Sequence, residues 1–477
     1  MNAILNQRGP VFLRRSVLAL GAAALGMLGV ITLHATAQEH HQNELDSLND
    51  AGILRTITLD GKALNAKGPF FQSLGTNGRS CGSCHIARTG WTISPGEVQD
   101  RFDETDGLDP IFRTNDGSNS PKANVRTEKA RRAAYSMLLS KGVIRVGLPI
   151  PASAEFELVK VEDPYNYASA RELSLFRRPL PSTNLRFLTG VMWDGRESFP
   201  GLGTTPILST ATSDQNLEAL LGDLLHQAND ATTGHAQGMA LTPDLADAIV
   251  RFEINLSTAQ VFDWSAGPLN SDGAKGGPEN LAMQAFHVTI NDVLGADTSG
   301  AAFEPHAMTL FDPWAQSRDR DRKAIARGAA LFGSTRINIT GVGGLNDALG
   351  LPSIPGSCTT CHDSPNVGNH SVALPIDIGI TDASRRTPDM PLYTLRNRST
   401  GKTRQTTDPG RALLTGKWAD IGKFKGPVLR GLASRPPYFH DGSAANFDEV
   451  IDFYNTRFNI GFTKQEKEDL IAFLNAL

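Results

Sequence analysis

Hydrophobic positions recur at helical spacing in two stretches of this chain. From Leu241 to Ala259 the run opens with Thr242-Pro243-Asp244, a helix start, and sets Leu245, Ile249, Phe252 and Leu256 on one face. Lys323 to Phe332 repeats the amphipathic pattern and leads into a glycine-rich loop, Gly341 to Gly350. Ser265 to Pro278 and Val293 to Pro313 are rich in Gly, Pro and Asp and read as irregular connections. Period-two alternation is scarce and no internal repeat of helical units is present. The pattern predicts a mainly α protein with long irregular loops, divided near Arg318 to Arg322 into a part over 38–320 and a part over 321–477. Ahead of both, Arg8, Arg14 and Arg15 precede an uncharged apolar stretch from Ser16 to Leu33, and Ala35-Thr36-Ala37 follows as a small-x-small cleavage signal. This predicts a signal peptide over 1–37 and a mature chain from Gln38, with an uncleaved membrane anchor as the alternative.

Length and charge narrow the class. With 477 residues the chain has room for two or three domains that each bury a core. A formal charge of −4, made more negative by removal of the three leader arginines, speaks against a nucleic-acid partner. Cationic residues do crowd one region, where Arg385, Arg386, Arg396, Arg398, Lys402, Arg404, Arg411, Lys417, Lys423 and Lys425 fall close together. That region is either a solvated loop surface or a place where some of these residues pair with acidic groups of a cofactor.

All four cysteines fall in two runs, Cys81-Gly82-Ser83-Cys84-His85 and Cys358-Thr359-Thr360-Cys361-His362. Each is a C-x-x-C-H haem-attachment pattern, in which two thiols add to the haem vinyl groups and the adjacent imidazole takes the iron. Zinc sites and redox dithiols also use C-x-x-C, but neither requires a histidine directly behind the second cysteine, twice. The motifs predict two covalently bound haem c groups, with His85 and His362 as iron ligands, in two cytochrome c-like domains. Covalent haem attachment and an export signal agree on a periplasmic location.

The motifs leave the far side of each iron open. An iron with two strong protein ligands moves electrons, whereas one with an open position binds peroxide or oxygen. Further residues bear on this point. Phe424-Lys425-Gly426-Pro427-Val428-Leu429-Arg430-Gly431, then Pro437-Tyr438-Phe439-His440-Asp441-Gly442-Ser443 and Val450-Ile451-Asp452-Phe453-Tyr454, together with Trp193-Asp194-Gly195-Arg196 and Asn184 upstream of it, resemble the bacterial dihaem cytochrome c peroxidases and their MauG relatives.

The resemblance implies roles for individual residues. Trp193 matches the tryptophan that lies between the two haems and supports electron exchange; the alternative is an ordinary core aromatic. The sixth ligand of the C-terminal haem is implied fourteen residues beyond His440, at Tyr454, with Met390 and His370 as competitors. Peroxidases carry methionine there and MauG carries tyrosine, whose harder oxygen favours ferric iron. For the distal side of the N-terminal haem, the family's glutamate is missing. One alignment places Ser213 and Asp214 there; another treats Ser198 to Gly222 as an insertion and places Gly234-His235-Ala236-Gln237 there. His235 is the first candidate for the distal group, Asp214 the second and His226 the third, an imidazole being suited to moving a peroxide proton. The positions matching the family's calcium ligands are Arg178 and Arg435, which makes an interhaem calcium doubtful.

Two functions follow from the sequence. One is a periplasmic dihaem oxidoreductase that reduces H₂O₂, or uses it to oxidise a partner, with a small cytochrome c, a cupredoxin or another protein as electron donor and a homodimer as the oligomer the resemblance implies. The other is a dihaem electron-transfer cytochrome with both irons six-coordinate.

Overall fold

The computed structural model describes residues 43–198, 213–297, 299–372 and 374–477, with the side chains of 213–216 set aside. The leader read over 1–37 lies outside the described residues, as does much of the stretch Ser198 to Gly222. No helix among the described residues is long and apolar enough to cross a membrane.

The expected helices form, but the mainly α class does not hold. The fold is 32% helix and 17% strand, and among the described residues its strands build four small antiparallel sheets. The largest orders Glu44–Leu48, Gly52–Thr58, Leu256–Asp263 and Gly267–Pro268 side by side. Its strands escape a hydrophobicity pattern because their buried faces are polar. Gly52–Thr58 turns Leu54, Thr56 and Thr58 inward, and Leu256–Asp263 buries Ser257, Thr258 and Gln260. Their hydroxyls are satisfied: Thr56 Oγ1 and Thr258 Oγ1 lie 2.9 Å apart, Thr183 Oγ1 is 2.8 Å from Thr258 Oγ1, and Thr58 and Ser257 donate to the carbonyls of Lys62 and Pro278. Leu173–Arg177 hides its period in another way, being buried at every position.

The same polar strand shortens the first predicted helix. It spans Pro243–Ile254, with the Thr242 side chain accepting from the Leu245 N–H at its start. Asn255 ends it, and Leu256 begins the strand instead of completing the helical face. The second predicted helix is longer than expected, Arg320–Ser334, capped by Asp319.

The two parts of the chain interlock. Phe156–Glu162 pairs with Leu392–Asn397, which also pairs with Thr403–Thr406, so one sheet joins segments more than 230 residues apart. The carbonyl of Leu477 accepts from the N–H of Gln260 and of Gly431. One core gathers Phe70, Trp91, Phe187, Leu224 and Ile249 around the first cysteine motif. A second gathers Phe311, Trp314, Phe332, Phe447 and Phe473 beside the second motif.

In that second core, Arg320–Ser334 crosses the C-terminal helix Lys464–Asn475. Arg327 clasps Asp469 with two bonds of 2.7 and 2.6 Å. Gly328 allows the close approach, since a Cβ there would lie 2.0 Å from the Asp469 carbonyl oxygen. Helix propensity alone favours alanine over glycine by about 1 kcal/mol. Gly328→Ala should nevertheless lower stability by about 1–3 kcal/mol, the cost of overpacking against backbone. Denaturant unfolding of the variant checks the sign, and a stabilised variant would contradict this packing.

Candidate functional site

Both cysteine motifs fold as the same 3₁₀ turn. In the first, Ser80 and Ser83 exchange side-chain and backbone bonds across the turn; in the second, Ser357 and Thr360 do the same. The sequences Ser-Cys-Gly-Ser-Cys-His and Ser-Cys-Thr-Thr-Cys-His thus share a capping signal outside the C-x-x-C-H pattern. Each histidine N–H then reaches back 3.0 Å to the carbonyl of the first cysteine.

Each imidazole is oriented by a backbone carbonyl. His85 Nδ1 donates to Trp91 O at 3.0 Å, and His362 Nδ1 donates to Gly368 O at 2.6 Å, leaving both Nε2 atoms free. Trp91 presents its carbonyl from a left-handed backbone (φ 60°), unusual for a bulky residue, and is held there by a 2.9 Å bond from its indole to Thr56. Burial lowers both imidazoles to a pKa of about 4, so they stand neutral, as metal ligands require.

The thiols are equally telling. Burial pushes Cys81 and Cys358 up to about 12 and Cys84 to about 11, the opposite of a reactive redox dithiol. Among the described residues, the donor atoms of neither Cys-Cys-His set converge on a common point as a zinc site demands. Each motif instead borders a largely apolar cavity, of ≈180 Å³ at the first and ≈210 Å³ at the second. Two thiols and one free imidazole nitrogen on the rim of an apolar cavity fit covalently bound haem in both places.

The first cavity carries a polar wall. His235 lines it, delivered by the end of the helix Ser213–Gly234. Its Nδ1 lies 2.5 Å from Asp116 Oδ2. Burial works to raise the Asp116 carboxyl, but His235 and Arg79 outweigh it and hold the group below the usual range, so it accepts and Nδ1 donates. Arg79, itself buried, pairs with the other Asp116 oxygen and bonds Pro110 O at 2.9 Å. Asn77 and Arg79 also fix the His235 carbonyl, at 2.8 and 3.2 Å. Sequence reasoning missed Arg79 and Asp116; an Asn-Gly-Arg run just before the cysteine motif was the one local sign. Glu253 lines the same cavity, and burial raises it to about 7.

Of the other distal candidates, His226 lines neither cavity and lies 2.8 Å from Glu197. Asp214 falls in the first turn of the helix Ser213–Gly234, and its side chain is outside the described residues.

The second cavity is walled mainly by aliphatic and aromatic side chains. Tyr454, on the helix Phe447–Arg457, faces His362 with ring centres 6.5 Å apart at 76°. Burial raises its phenol well above the ordinary value. His370 also lines this cavity, but it sits on the motif's own wall, with Nδ1 3.1 Å from Cys361 O and Nε2 without a partner. Met390 lies elsewhere, packed with Met137, Val143 and Phe176.

Trp193 lines both cavities, as do Lys425 and Pro427. Its indole donates to Arg178 O at 2.8 Å, and its carbonyl accepts from Lys425 N–H at 2.8 Å. The next residue, Asp194, is fully buried against Arg177 at 2.5 Å, while Arg177 also grips Asp408 with bonds of 2.7 and 2.9 Å.

No family model matches the chain. It is 31% identical to a cytochrome-c peroxidase IdrP1 of Pseudomonas sp. (strain SCT) over 140 residues, which is 25% of this chain and 36% of that protein. It is 26% identical to the cytochrome c551 peroxidase of Nitrosomonas europaea over 263 residues, 47% of this chain and 69% of that one. The chain thus spans about a third of the length of the first curated relatives it matches. A solved MauG-like protein associated with microbial copper homeostasis aligns over 86% of this chain and 85% of its own at 16% identity, with a TM-score of 0.38. The sequence likeness, over part of the chain, is to cytochrome c peroxidases.

The Asp194 ion pair makes a checkable demand on the turn that carries Trp193. Burial raises the Asp194 carboxyl, but Arg177 and Arg196 outweigh it and hold its pKa below the ordinary value. The pair therefore contributes fully above the unfolded value of about 4 and is lost as pH falls through the lower folded value. Asp194→Asn should lose about 3 kcal/mol at neutral pH, because Arg177 stays buried with half its partners. That deficit should shrink below about pH 4, where the carboxylate of the unfolded chain takes up a proton that the folded one still refuses; unfolding measured across pH checks both.

Proposed function

We propose that the chain is a periplasmic dihaem c-type oxidoreductase of the cytochrome c peroxidase and MauG type, which reduces H₂O₂ or uses it to oxidise a partner. One haem is held by Cys81, Cys84 and His85, the other by Cys358, Cys361 and His362, with Tyr454 as the further ligand of the second. Haem iron at these positions supplies the electron-transfer chemistry that peroxide reduction needs. The single observation that carries the reading is the Arg79–Asp116–His235 array in the wall of the first cavity, where the imidazole lies 2.5 Å from its carboxylate; the histidines lining the second cavity, His370 and His440, lie farther from theirs, 3.3 Å from Asp363 and 3.8 Å from Asp408.

His235 then acts on peroxide in the first cavity. With Nδ1 committed to Asp116, its Nε2 would take a proton from one peroxide oxygen and return it to the other, which leaves as water as the O–O bond breaks; two electrons from the donor and two further protons take the remaining oxygen to a second water. The apolar walls exclude competing water from most of the cavity. Trp193, bordering both cavities, supports electron exchange between them. Electrons come from a small cytochrome c, a cupredoxin or another protein, and the working form is a homodimer without bound calcium. The signal over 1–37 exports the chain.

Rapid mixing of the purified holoprotein with H₂O₂ tests this. The wild type should react and turn over, and His235→Ala should slow the reaction by about 10²-fold or more, the usual worth of a positioned acid–base group. Asp116→Asn should slow it as well, with haem content unchanged. Two haems inert to peroxide in both the oxidised and half-reduced protein would favour the electron carrier instead.

A further inference from the structure

Neighbouring residues Arg177 and Arg178 meet opposite electrostatic fates. Both are buried, yet Arg177 is gripped by two carboxylates while Arg178 has none among the described residues. The Arg178 guanidinium donates to backbone carbonyls: Lys141 O at 2.9 Å, Ile93 O at 2.8 Å and Arg435 O at 3.3 Å. Arg435, also buried, donates to Val428 O and leaves Nε without a partner. Lys425 is a third buried cation, and among the described residues its ammonium meets no carboxylate. Burial lowers Arg178 to about 9, Lys425 to about 8 and Arg435 to about 10, and Arg435 depresses the other two further by repulsion.

Three like charges so placed are costly. Each ion removed from water without a counter-ion loses its solvation uncompensated, and here they also repel one another. The cluster is not scattered through the core. All three line the first cavity, Lys425 lines the second as well, and Arg178 and Lys425 are both bonded to Trp193.

We infer that Arg178, Lys425 and Arg435 form an anion site at the junction of the two cavities, built to receive carboxylate groups carried by what fills them. This rests on the dihaem reading, since haem bears two propionate carboxylates on one edge. Cations fixed at that edge neutralise the carboxylates and favour the reduced state of each iron, because nearby positive charge opposes oxidation. The site has no need of a divalent metal, which three cations would repel. A free inorganic anion is the other source of the same chemistry.

Spectroelectrochemical titration of the holoprotein separates these cases, with haem counted by its pyridine adduct. Lys425→Met should move both midpoint potentials to more negative values, and Lys425→Arg should restore them. Arg435→Gln, an independent variant, should move the potential of the first haem more than that of the second. Added phosphate, added calcium and a calcium chelator should all leave the wild-type potentials in place. Two haems per chain with potentials unmoved in both Lys425→Met and Arg435→Gln would overturn the inference while sparing the dihaem reading. A wild-type shift with phosphate would assign the site to a free anion, and a shift with chelator would assign it to a metal; either overturns it. A chain that binds no haem would overturn both readings.

Discussion

The arrangement depends on one buried guanidinium. Arg177 leaves the end of a fully buried strand and is shared between Asp194 and Asp408, tying that strand, the Trp-Asp-Gly-Arg turn and the loop before Gly410 into one unit. Breaking either pair strands a charge in the interior, so the three segments hold one geometry. Trp193 is adjacent to Asp194, and this is why a single indole can be fixed against both cavities.

Around that fixed point the two halves of the site diverge. Their cysteine turns, histidine orientation and cavity sizes are nearly the same. What differs is the remaining wall. The first cavity meets an imidazole locked by a buried carboxylate and arginine, together with an unusually basic Glu253. The second meets a phenol in a mainly aromatic and aliphatic lining that also holds His370 and His440. Under the proposed function, chemistry that moves protons would fall to the first wall and electron passage to the second.

Much of the site was legible in the chain because its signals are local. Cysteine spacing picked out the two C-x-x-C-H turns, and the family resemblance, counted fourteen residues on from His440, pointed to Tyr454, whose ring centre lies 6.5 Å from that of His362. The parts that stayed hidden act at a distance. Asp116 lies 119 positions from His235, and neither stands in a pattern that points to the other. The Trp91 carbonyl that aims His85 is a backbone group and has no sequence signature. The largest sheet was missed for a related reason: threonine, serine and glutamine occupy core-facing strand positions, the threonines bonding one another, Ser257 the Pro278 carbonyl and Gln260 the Asn49 side chain, so the burial never registers as hydrophobic alternation.

The central claim is that two like haem-attachment turns serve unlike irons. Electron paramagnetic resonance of the fully oxidised holoprotein, compared with its Tyr454→Phe variant, tests it most directly. The account predicts two distinct ferric signals, one of them high-spin, with the substitution changing the other signal and sparing the high-spin one. Two equivalent low-spin signals, or a substitution that leaves both unchanged, would contradict it.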